Sequence, residues 1–286
     1  MDNPTIKKGP EEKAPVTGLE TGDLDLFEKK EKLEQGLEQK KEKITKIVKD
    51  KIRNTGIKIY TNSEVSKINE TGDGYEVLGG NNKVETEKVL VAAGREPNTD
   101  VLKVENSGIE TDKRGWIKVN KYLETTKKNI WAFGDCIGKE MFTHVSREEA
   151  NSAWHNANHK NRQEFDYSVV PRAIFGRPQI ASVGLGEKEA IKEYGKDEIL
   201  IGKANYSEVA KGIALGEEGF AKAIVNREGK ILGFHIIGPY APLLIQEVAD
   251  VMAGGGGVEN ILATMHIHPS LSELVQRTFG KLRPLR

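Results

Sequence analysis

Apolar residues follow a helical pattern at the start of the chain. Between residues 24 and 53 they recur at spacings of seven and four, beginning with Leu26, Leu33 and Leu37, within dense charge. This spacing predicts a long helix with a narrow apolar stripe. A free-standing coiled coil is the alternative, but the stripe is short and Gly36 interrupts it. A solvated helix with one face on a sheet is therefore the preferred interpretation.

From residue 54 the pattern changes to short apolar runs separated by Gly and Asn turns. Gly56 ends the helix, and the residues after it predict a strand, an antiparallel meander and a buried apolar strand. Two later runs also predict strands, and a helix follows from Ser146 to Asn158. The predicted strands are Ile57–Tyr60, Val65–Ile68, Tyr75–Leu78, Lys83–Glu85, Lys88–Ala92, Gly115–Asn120 and Asn129–Asp135.

Beyond Phe165, strands and helices mix in the way typical of an α+β domain, an antiparallel sheet with helices. Gly254 to Gly257 follow a helix rather than a strand, so we interpret them as a joint between helices and not as a phosphate loop. The predicted strands lie at 169–175, 180–183, 199–204, 220–225 and 230–237, and the predicted helices at 187–194, 242–253 and 258–265.

Composition narrows the class of protein. The chain has 43 basic and 43 acidic residues, so charge gives no reason to expect nucleic acid or a membrane surface as partner. No apolar run approaches the roughly 20 residues that span a bilayer, and the polar N-terminus predicts no signal peptide. The single cysteine, Cys136, fits a reducing cytoplasm. The composition of residues 1–24, rich in Pro, Gly, Lys and Glu, predicts a disordered tail.

The most informative stretch lies near the C-terminus, at residues 265–273. Pro269 disfavours a helical conformation for His268, and Ser270 can cap a new helix in which Glu273 occupies a capping-box position. That turn can bring the Glu273 carboxylate back to the His268 imidazole. A carboxylate on one ring nitrogen makes the other a competent general acid or base. The alternative is a capping box with an incidental histidine.

Two strand ends carry candidate ligand-binding residues. Small residues around Gly94 let the backbone approach a ligand or a neighbouring strand closely, although an ordinary tight strand exit has the same pattern. Gly134-Asp135 ends an apolar run, where an aspartate can accept hydrogen bonds from ribose-type hydroxyls. An N-cap or turn aspartate is the alternative for Asp135. His155 and His159 have helical ligand spacing, but no third ligand is evident, so we predict no metal site.

Four motifs stand in one order: AAGREPNT at 92–99, WAFGDC at 131–136, VPRAIF with IASVGL within 170–185, and HIHPSLSE at 266–273. Together they resemble the C-terminal half of the flavin-dependent pyridine nucleotide–disulfide oxidoreductases, in particular the dihydrolipoamide dehydrogenase branch. The resemblance covers roughly residues 40 to 286. It implies partial α/β FAD- and NAD(P)-binding domains followed by an α+β dimerisation domain.

The resemblance also implies boundaries and roles. Residues 25–93 would be a partial NAD(P)-binding domain, residues 94–165 a returning segment of the FAD domain, and residues 166–286 the dimerisation domain. Asp135, with Gly134 and Gly94 nearby, would hold the flavin. His268 and Glu273 would reach across a dimer to the partner's redox disulfide, with FAD and NAD or NADP as cofactors.

The sequence contains no GxGxxG loop and no CxxxxC redox pair. We therefore expect the chain to be inactive alone and to act with a companion that supplies the FAD loop and the redox cysteines, as a homodimer or a heteromer. The second hypothesis is a non-catalytic dimerisation or regulatory remnant. The tail after Gly280 has no vicinal cysteines, which disfavours mercuric reductase and high-molecular-weight thioredoxin reductase. Coenzyme A disulfide reductases and transhydrogenases of this fold stay open.

Overall fold

The computed structural model describes the backbone of residues 38–285 and the side chains of residues 45–285. The chain divides into two units at the boundary between residues 50 and 51. The predicted tail, residues 1–24, lies outside the described residues. The predicted domain boundaries near residues 93 and 165 stay predictions.

The first described element is helix α1, Glu38–Arg53, which confirms the C-terminal part of the predicted helix. The helix ends where predicted, because the Gly56 N–H bonds to the Arg53 carbonyl at 2.9 Å and Gly56 adopts a φ of 84°. A residue without Cβ takes this left-handed conformation at little steric cost. Most of the predicted apolar stripe lies outside the described side chains, so the face that it covers stays a prediction.

The predicted meander is present as a three-stranded antiparallel sheet. Its strands pair in sequence order, and the turns at residues 72–73 and 80–81 join them. Tight turns rich in Gly and Asn are what such hairpins require. The strands are β1, Val65–Thr71, β2, Gly74–Gly79, and β3, Asn82–Thr86.

Two predicted strands of this region are absent from the described structure: Ile57–Tyr60 and Lys88–Ala92 are irregular. The second was predicted as buried, yet Leu90 is 92% exposed. An apolar run of this kind is typical of a parallel strand that is covered on both faces and paired on its edges. No described strand pairs with it, so its backbone groups have no ladder to join.

Residues 94–165 contain less regular structure than predicted. The expected strands Gly115–Asn120 and Asn129–Asp135 are wrong, because these residues form only single antiparallel bridges such as Val119 with Thr125 and Glu124 with Trp131. The chain turns back within a few residues, so each segment pairs at one position rather than along a ladder. A small core nevertheless forms around Leu123. The helices are α2, Thr99–Leu102, and α3, Thr143–Asn158, which confirms the predicted helix.

The C-terminal region is a six-stranded antiparallel sheet with the order β4-β5-β8-β7-β6-β9. Its hairpin of β7 and β8 turns at Asn226 to Gly229, as predicted. Each predicted strand of this region is present, and β9 is an addition. The strands are β4, Arg172–Ile174, β5, Ile180–Gly184, β6, Ile199–Asn205, β7, Phe220–Asn226, β8, Ile231–Ile237, and β9, Arg283–Pro284.

Helices cover both faces of this sheet, as the two-residue period of β7 shows. Ala221, Ala223 and Val225 belong to the core under α6 and α8, whereas Ile224 packs with Ala190 of α4. Successive side chains of a strand point to opposite faces. Helix α5 was not predicted. The helices are α4, Glu187–Tyr194, α5, Ala210–Leu215, α6, Ala241–Ala253, α7, Val258–Ala263, and α8, Ser272–Phe279.

Helix α8 sits unusually close to the sheet. A Cβ built on Gly202 of β6 would lie 2.1 Å from the Thr278 carbonyl oxygen, so only glycine permits this approach. The Phe279 ring stacks on Phe234 of β8, with ring centroids 5.4 Å apart. Full burial of a phenylalanine side chain stabilises the fold by roughly 1.5–3 kcal/mol. The helix that carries Glu273 is therefore fixed to a rigid sheet.

Candidate functional site

The turn between α7 and α8 brings His268 and Glu273 together. His268 Nδ1 lies 2.9 Å from Glu273 Oε1, and the second carboxylate oxygen accepts the Ser270 N–H at 3.0 Å. The His268-Pro269 peptide bond is cis. The predicted approach of carboxylate to imidazole across five residues is therefore present in the structure.

The details of the cap differ from prediction. Helix α8 begins at Ser272 with Leu271 as its N-cap residue, and no side chain caps it. Instead of capping the helix, the Ser270 hydroxyl lies 2.6 Å from the Ser272 hydroxyl. Only the carboxylate half of the predicted capping box forms, because the N-cap position falls on Leu271 and the helix starts one residue later than predicted.

The environment of the pair defines its protonation. The hydrogen bonds from His268 and from the Ser270 N–H favour the ionised form of Glu273 and lower the pKa of this carboxyl. An ionised carboxylate only accepts, so His268 Nδ1 donates and carries the ring proton. The His268 side chain is 69% exposed, and no described residue hydrogen-bonds to Nε2. Nε2 is thus available to take a proton from a ligand.

A second histidine–glutamate contact lies two residues earlier. His266 Nε2 is 2.7 Å from Glu247 Oε1 of helix α6, and His266 Nδ1 is 3.0 Å from the Thr264 carbonyl oxygen. The sequence interpretation missed this pair. The partners are 19 residues apart and on different elements, so no local spacing reveals them.

Asp135 lies in a short 3₁₀ turn, Gly134–Ile137, that precedes α3. Its carboxylate accepts a hydrogen bond of 3.0 Å from Arg95 Nη1, which also donates to the Met141 carbonyl oxygen at 3.0 Å. The N-cap residue of the turn is Phe133, so Asp135 is not an N-cap, but it is the turn aspartate that the alternative interpretation also allowed. The first and second sequence motifs therefore meet at an exposed ion pair.

Gly94 precedes that arginine and adopts a φ of 108°, with no described atom within 4 Å of a Cβ built on it. The tight strand exit considered for Gly94 does not form, since residues 88–92 are not a strand. No described atom fills the space beside the Gly94 Cα. Its predicted contact with a cofactor stays a prediction.

A buried carboxylate, also missed from sequence, holds the turn that carries Asp135. Glu149 of α3 is fully buried and accepts hydrogen bonds of 2.6 Å from both the Gly134 N–H and the Tyr167 hydroxyl. Burial, together with the neighbouring Glu149 carboxylate, raises the pKa of Tyr167 well above its usual range. The tyrosine therefore stays protonated and donates to Glu149.

Cys136, next to Asp135, behaves as a packed residue. Burial raises the pKa of its thiol, and its Sγ lies 3.2 Å from the Phe133 carbonyl oxygen. A thiol with a raised pKa is a poor nucleophile at neutral pH. This supports the interpretation of Cys136 as a packing residue.

The metal alternative at His155 and His159 finds no support among the described residues, where no group of three potential ligands occurs. The two rings stack with centroids 4.5 Å apart, and one nitrogen of each ring hydrogen-bonds to a backbone carbonyl oxygen.

Within residues 38–285, every helix is too short or too polar to cross a lipid bilayer.

Two family models match this chain, one in its N-terminal half and one in its C-terminal half. Residues 26–150 match the family described as "Pyridine nucleotide-disulphide oxidoreductase", and residues 170–279 match its "dimerisation domain". Together the two ranges take in most of the chain.

Among known proteins, the dihydrolipoyl dehydrogenase of Chlamydia trachomatis is 35% identical over 235 residues, which cover 81% of this chain and 50% of that protein. The dihydrolipoyl dehydrogenase of Geobacillus stearothermophilus is 34% identical, over 80% of this chain and 49% of the relative. The chain thus spans about half the length of the curated relatives that it matches.

Solved structures with a similar fold agree with the family matches. The HOCl-induced flavoprotein disulfide reductase RclA from Escherichia coli is 28% identical with a TM-score of 0.73, over 82% of this chain and 54% of that one. LpdA from Mycobacterium tuberculosis, 23% identical with a TM-score of 0.76 over 82% of this chain and 51% of that one, shows the same fold. The predicted fold class, α/β elements followed by an α+β dimerisation domain, is confirmed. The chain belongs to the pyridine nucleotide–disulphide oxidoreductase family.

Proposed function

We propose that the chain is the C-terminal part of a dihydrolipoamide dehydrogenase-like disulfide oxidoreductase. It would move electrons between a dithiol and NAD or NADP through FAD, together with a companion polypeptide. The observation that carries this proposal is the His268–Glu273 hydrogen bond of 2.9 Å beside an exposed ring nitrogen. The companion supplies the FAD loop, the redox cysteines and the nicotinamide loop.

In this function His268 Nε2 accepts the proton of a substrate thiol, and the resulting thiolate is the species that attacks a disulfide. Glu273 holds Nδ1–H and stabilises the imidazolium that forms. In the reverse direction the imidazolium returns the proton to the leaving thiolate. The site thus handles protons, whereas the electrons leave through groups outside this sequence.

Part of a flavin site fits the residues present. The exposed Asp135 carboxylate can accept hydrogen bonds from ribityl hydroxyls, with Arg95 and Glu149 holding its position. A Cβ on Gly94 would meet open space, whereas a Cβ on Gly134 would lie 3.1 Å from the Ser146 hydroxyl oxygen, so Gly134 permits the close packing of this turn on α3. FAD would supply the two-electron carrier between thiols and nicotinamide. The phosphate end of the cofactor needs a glycine loop that this sequence does not contain.

The family's dimerisation domain supports pairing with a second copy. Met265 and Ile267, both largely exposed, precede His268 in the same loop and give this face the apolar character of an interface. In such an assembly, His268 would meet the redox disulfide of the companion that is bound to the second copy, rather than the disulfide of the companion bound to its own subunit.

The test is reconstitution. The full chain is co-expressed with the N-terminal half of the Chlamydia trachomatis relative, and the purified complex is assayed for bound flavin and for dihydrolipoamide-dependent reduction of NAD. We expect a yellow complex with turnover. His268→Ala should keep the flavin and lower turnover by about 10²–10⁴-fold, the usual contribution of a general acid–base. Full turnover by this variant would overturn the assignment of His268.

The second candidate, a non-catalytic dimerisation or regulatory module, rests on the single cysteine and the missing phosphate loops. It predicts a colourless dimer from every expression strategy. Sedimentation and flavin absorbance on the same sample separate the two functions. A yellow complex that turns over excludes the second.

A further inference from the structure

The segment that carries His268 is held in place by side chains. Residues 265–270 take part in no backbone–backbone hydrogen bond found in the described structure. Backbone groups that lack such bonds leave a loop free to adopt several conformations unless other contacts fix it. The position of the His268 ring therefore depends on which side chains anchor this loop.

Of the residues between the helix end and Pro269, one points inward. Met265 is 96% exposed and Ile267 is 77% exposed, and the His268 ring is also outside. The His266 side chain is only 4% exposed. His266 is thus the single buried anchor between Met265 and His268.

The anchor reaches a rigid element. Glu247 belongs to α6, whose other face buries Leu244, Ile245 and Val248 in the main core. The 2.7 Å contact to His266 therefore joins the loop to a packed helix. From the other side, Gln276 of α8 reaches the Thr264 carbonyl oxygen at a longer distance, 3.3 Å.

Both nitrogens of the His266 ring are engaged. A carbonyl oxygen only accepts, so Nδ1 donates to Thr264, and Nε2 faces the Glu247 carboxyl. His266 has no free nitrogen for a ligand, which distinguishes it from His268.

We infer that His266 and Glu247 form a positioning pair that holds the His268 imidazole against Glu273. The inference rests on the function proposed for His268, but its structural part can be tested without that function. Removing either partner should free the loop, loosen the His268–Glu273 hydrogen bond and leave the fold of the sheet intact.

The first measurement uses the purified full chain and no cofactor. Long-range ¹H–¹⁵N correlation spectra of the six histidine rings report the tautomer of each, and the His268 signals are assigned by their loss in His268→Gln. We expect wild-type His268 to carry its proton on Nδ1. His266→Ala and Glu247→Ala should each shift the His268 ring to a mixture of tautomers. The double variant should add nothing further, because each single variant already removes the same contact between His266 and Glu247.

Asp250→Ala is the matched control. It removes a carboxylate from the same helix, one whose described partner is Gln246 rather than the loop. Its His268 signals should match those of wild type. Glu247→Ala keeps the test open if His266→Ala fails to fold, since it leaves the loop sequence unchanged. Unshifted His268 signals in a folded Glu247→Ala chain overturn the inference.

The second measurement separates the inference from the proposed function. In the reconstituted complex, Glu247→Ala should lower kcat by about tenfold to a hundredfold, as expected when a catalytic group is displaced by about an ångström, and KM for NAD should not change. A tautomer shift with full turnover keeps the positioning pair and rejects His268 as the acid–base group. Unchanged signals together with lost turnover reject the positioning pair alone.

Discussion

Apolar runs of similar pattern are buried in one region of the described chain and exposed in another. Residues 170–285 bury their apolar runs in a paired sheet under helices, with Ile224 and Phe234 fully enclosed. Residues 57–93 contain equally apolar runs, yet Leu90 and Val91 are exposed and unpaired among the described residues. A pattern therefore shows which residues favour burial, and the availability of a partner decides whether burial occurs.

The difference follows from strand connectivity. In the C-terminal sheet every strand finds its antiparallel neighbour within residues 172–284, through a hairpin for β7 and β8 and through a long connection for β5 and β8. A parallel strand needs a partner from elsewhere in the chain, brought by a long crossover. The run at 88–92 has the composition of such a strand, and no described segment provides its neighbour.

The largest expected effect on stability lies in the well-packed region. Phe279→Ala removes the ring stacked on Phe234 and leaves a cavity beneath α8. Truncations of this kind cost about 3–5 kcal/mol. Urea unfolding followed by circular dichroism should show a lower midpoint with a similar slope. A cost below about 1 kcal/mol would mean that α8 is not fixed to the sheet in solution.

Gly202→Ala should have the next largest effect. The new Cβ would meet the Thr278 carbonyl oxygen, and overpacking of a dense interior costs typically about 1–3 kcal/mol. Because α8 carries Glu273, the substitution should also disturb the His268 signals. Gly176→Ala is the control, because a Cβ there would meet only the Pro178 carbonyl oxygen at an ordinary contact distance of 3.6 Å and the backbone does not have a positive φ.

Local chemistry explains how much of the site was predictable. His268 and Glu273 are five residues apart, and the intervening proline limits the path, so the contact follows from the sequence. Arg95 and Asp135 are 40 residues apart, and only the folded chain brings them together. No sequence pattern indicated that Glu149 is buried, because its burial depends on Tyr167 and on the turn at Gly134.

Glu273→Gln tests the electrostatic part of the site and should have a smaller effect. The pKa of Glu273 is lowered in the folded chain, so its contribution to stability is present above the ordinary carboxyl range, about pH 4.3, and is lost as the pH falls through the lowered value. Thermal midpoints of wild type and variant should differ slightly at neutral pH and converge in acid. A gap that widens in acid contradicts the lowered pKa.

The smallest effect is expected at Leu90, and it sharpens the comparison most. Leu90→Ser replaces a side chain that is 92% exposed, so the isolated chain should change by no more than about 0.5 kcal/mol. If the companion pairs with residues 88–92 and covers Leu90, the same substitution should weaken the reconstituted complex. Burying a hydroxyl without a partner costs about 1–3 kcal/mol, which binding titrations of the companion against wild type and variant can detect. Equal affinity for both would mean that this apolar run stays uncovered in the complex and that its composition has another cause.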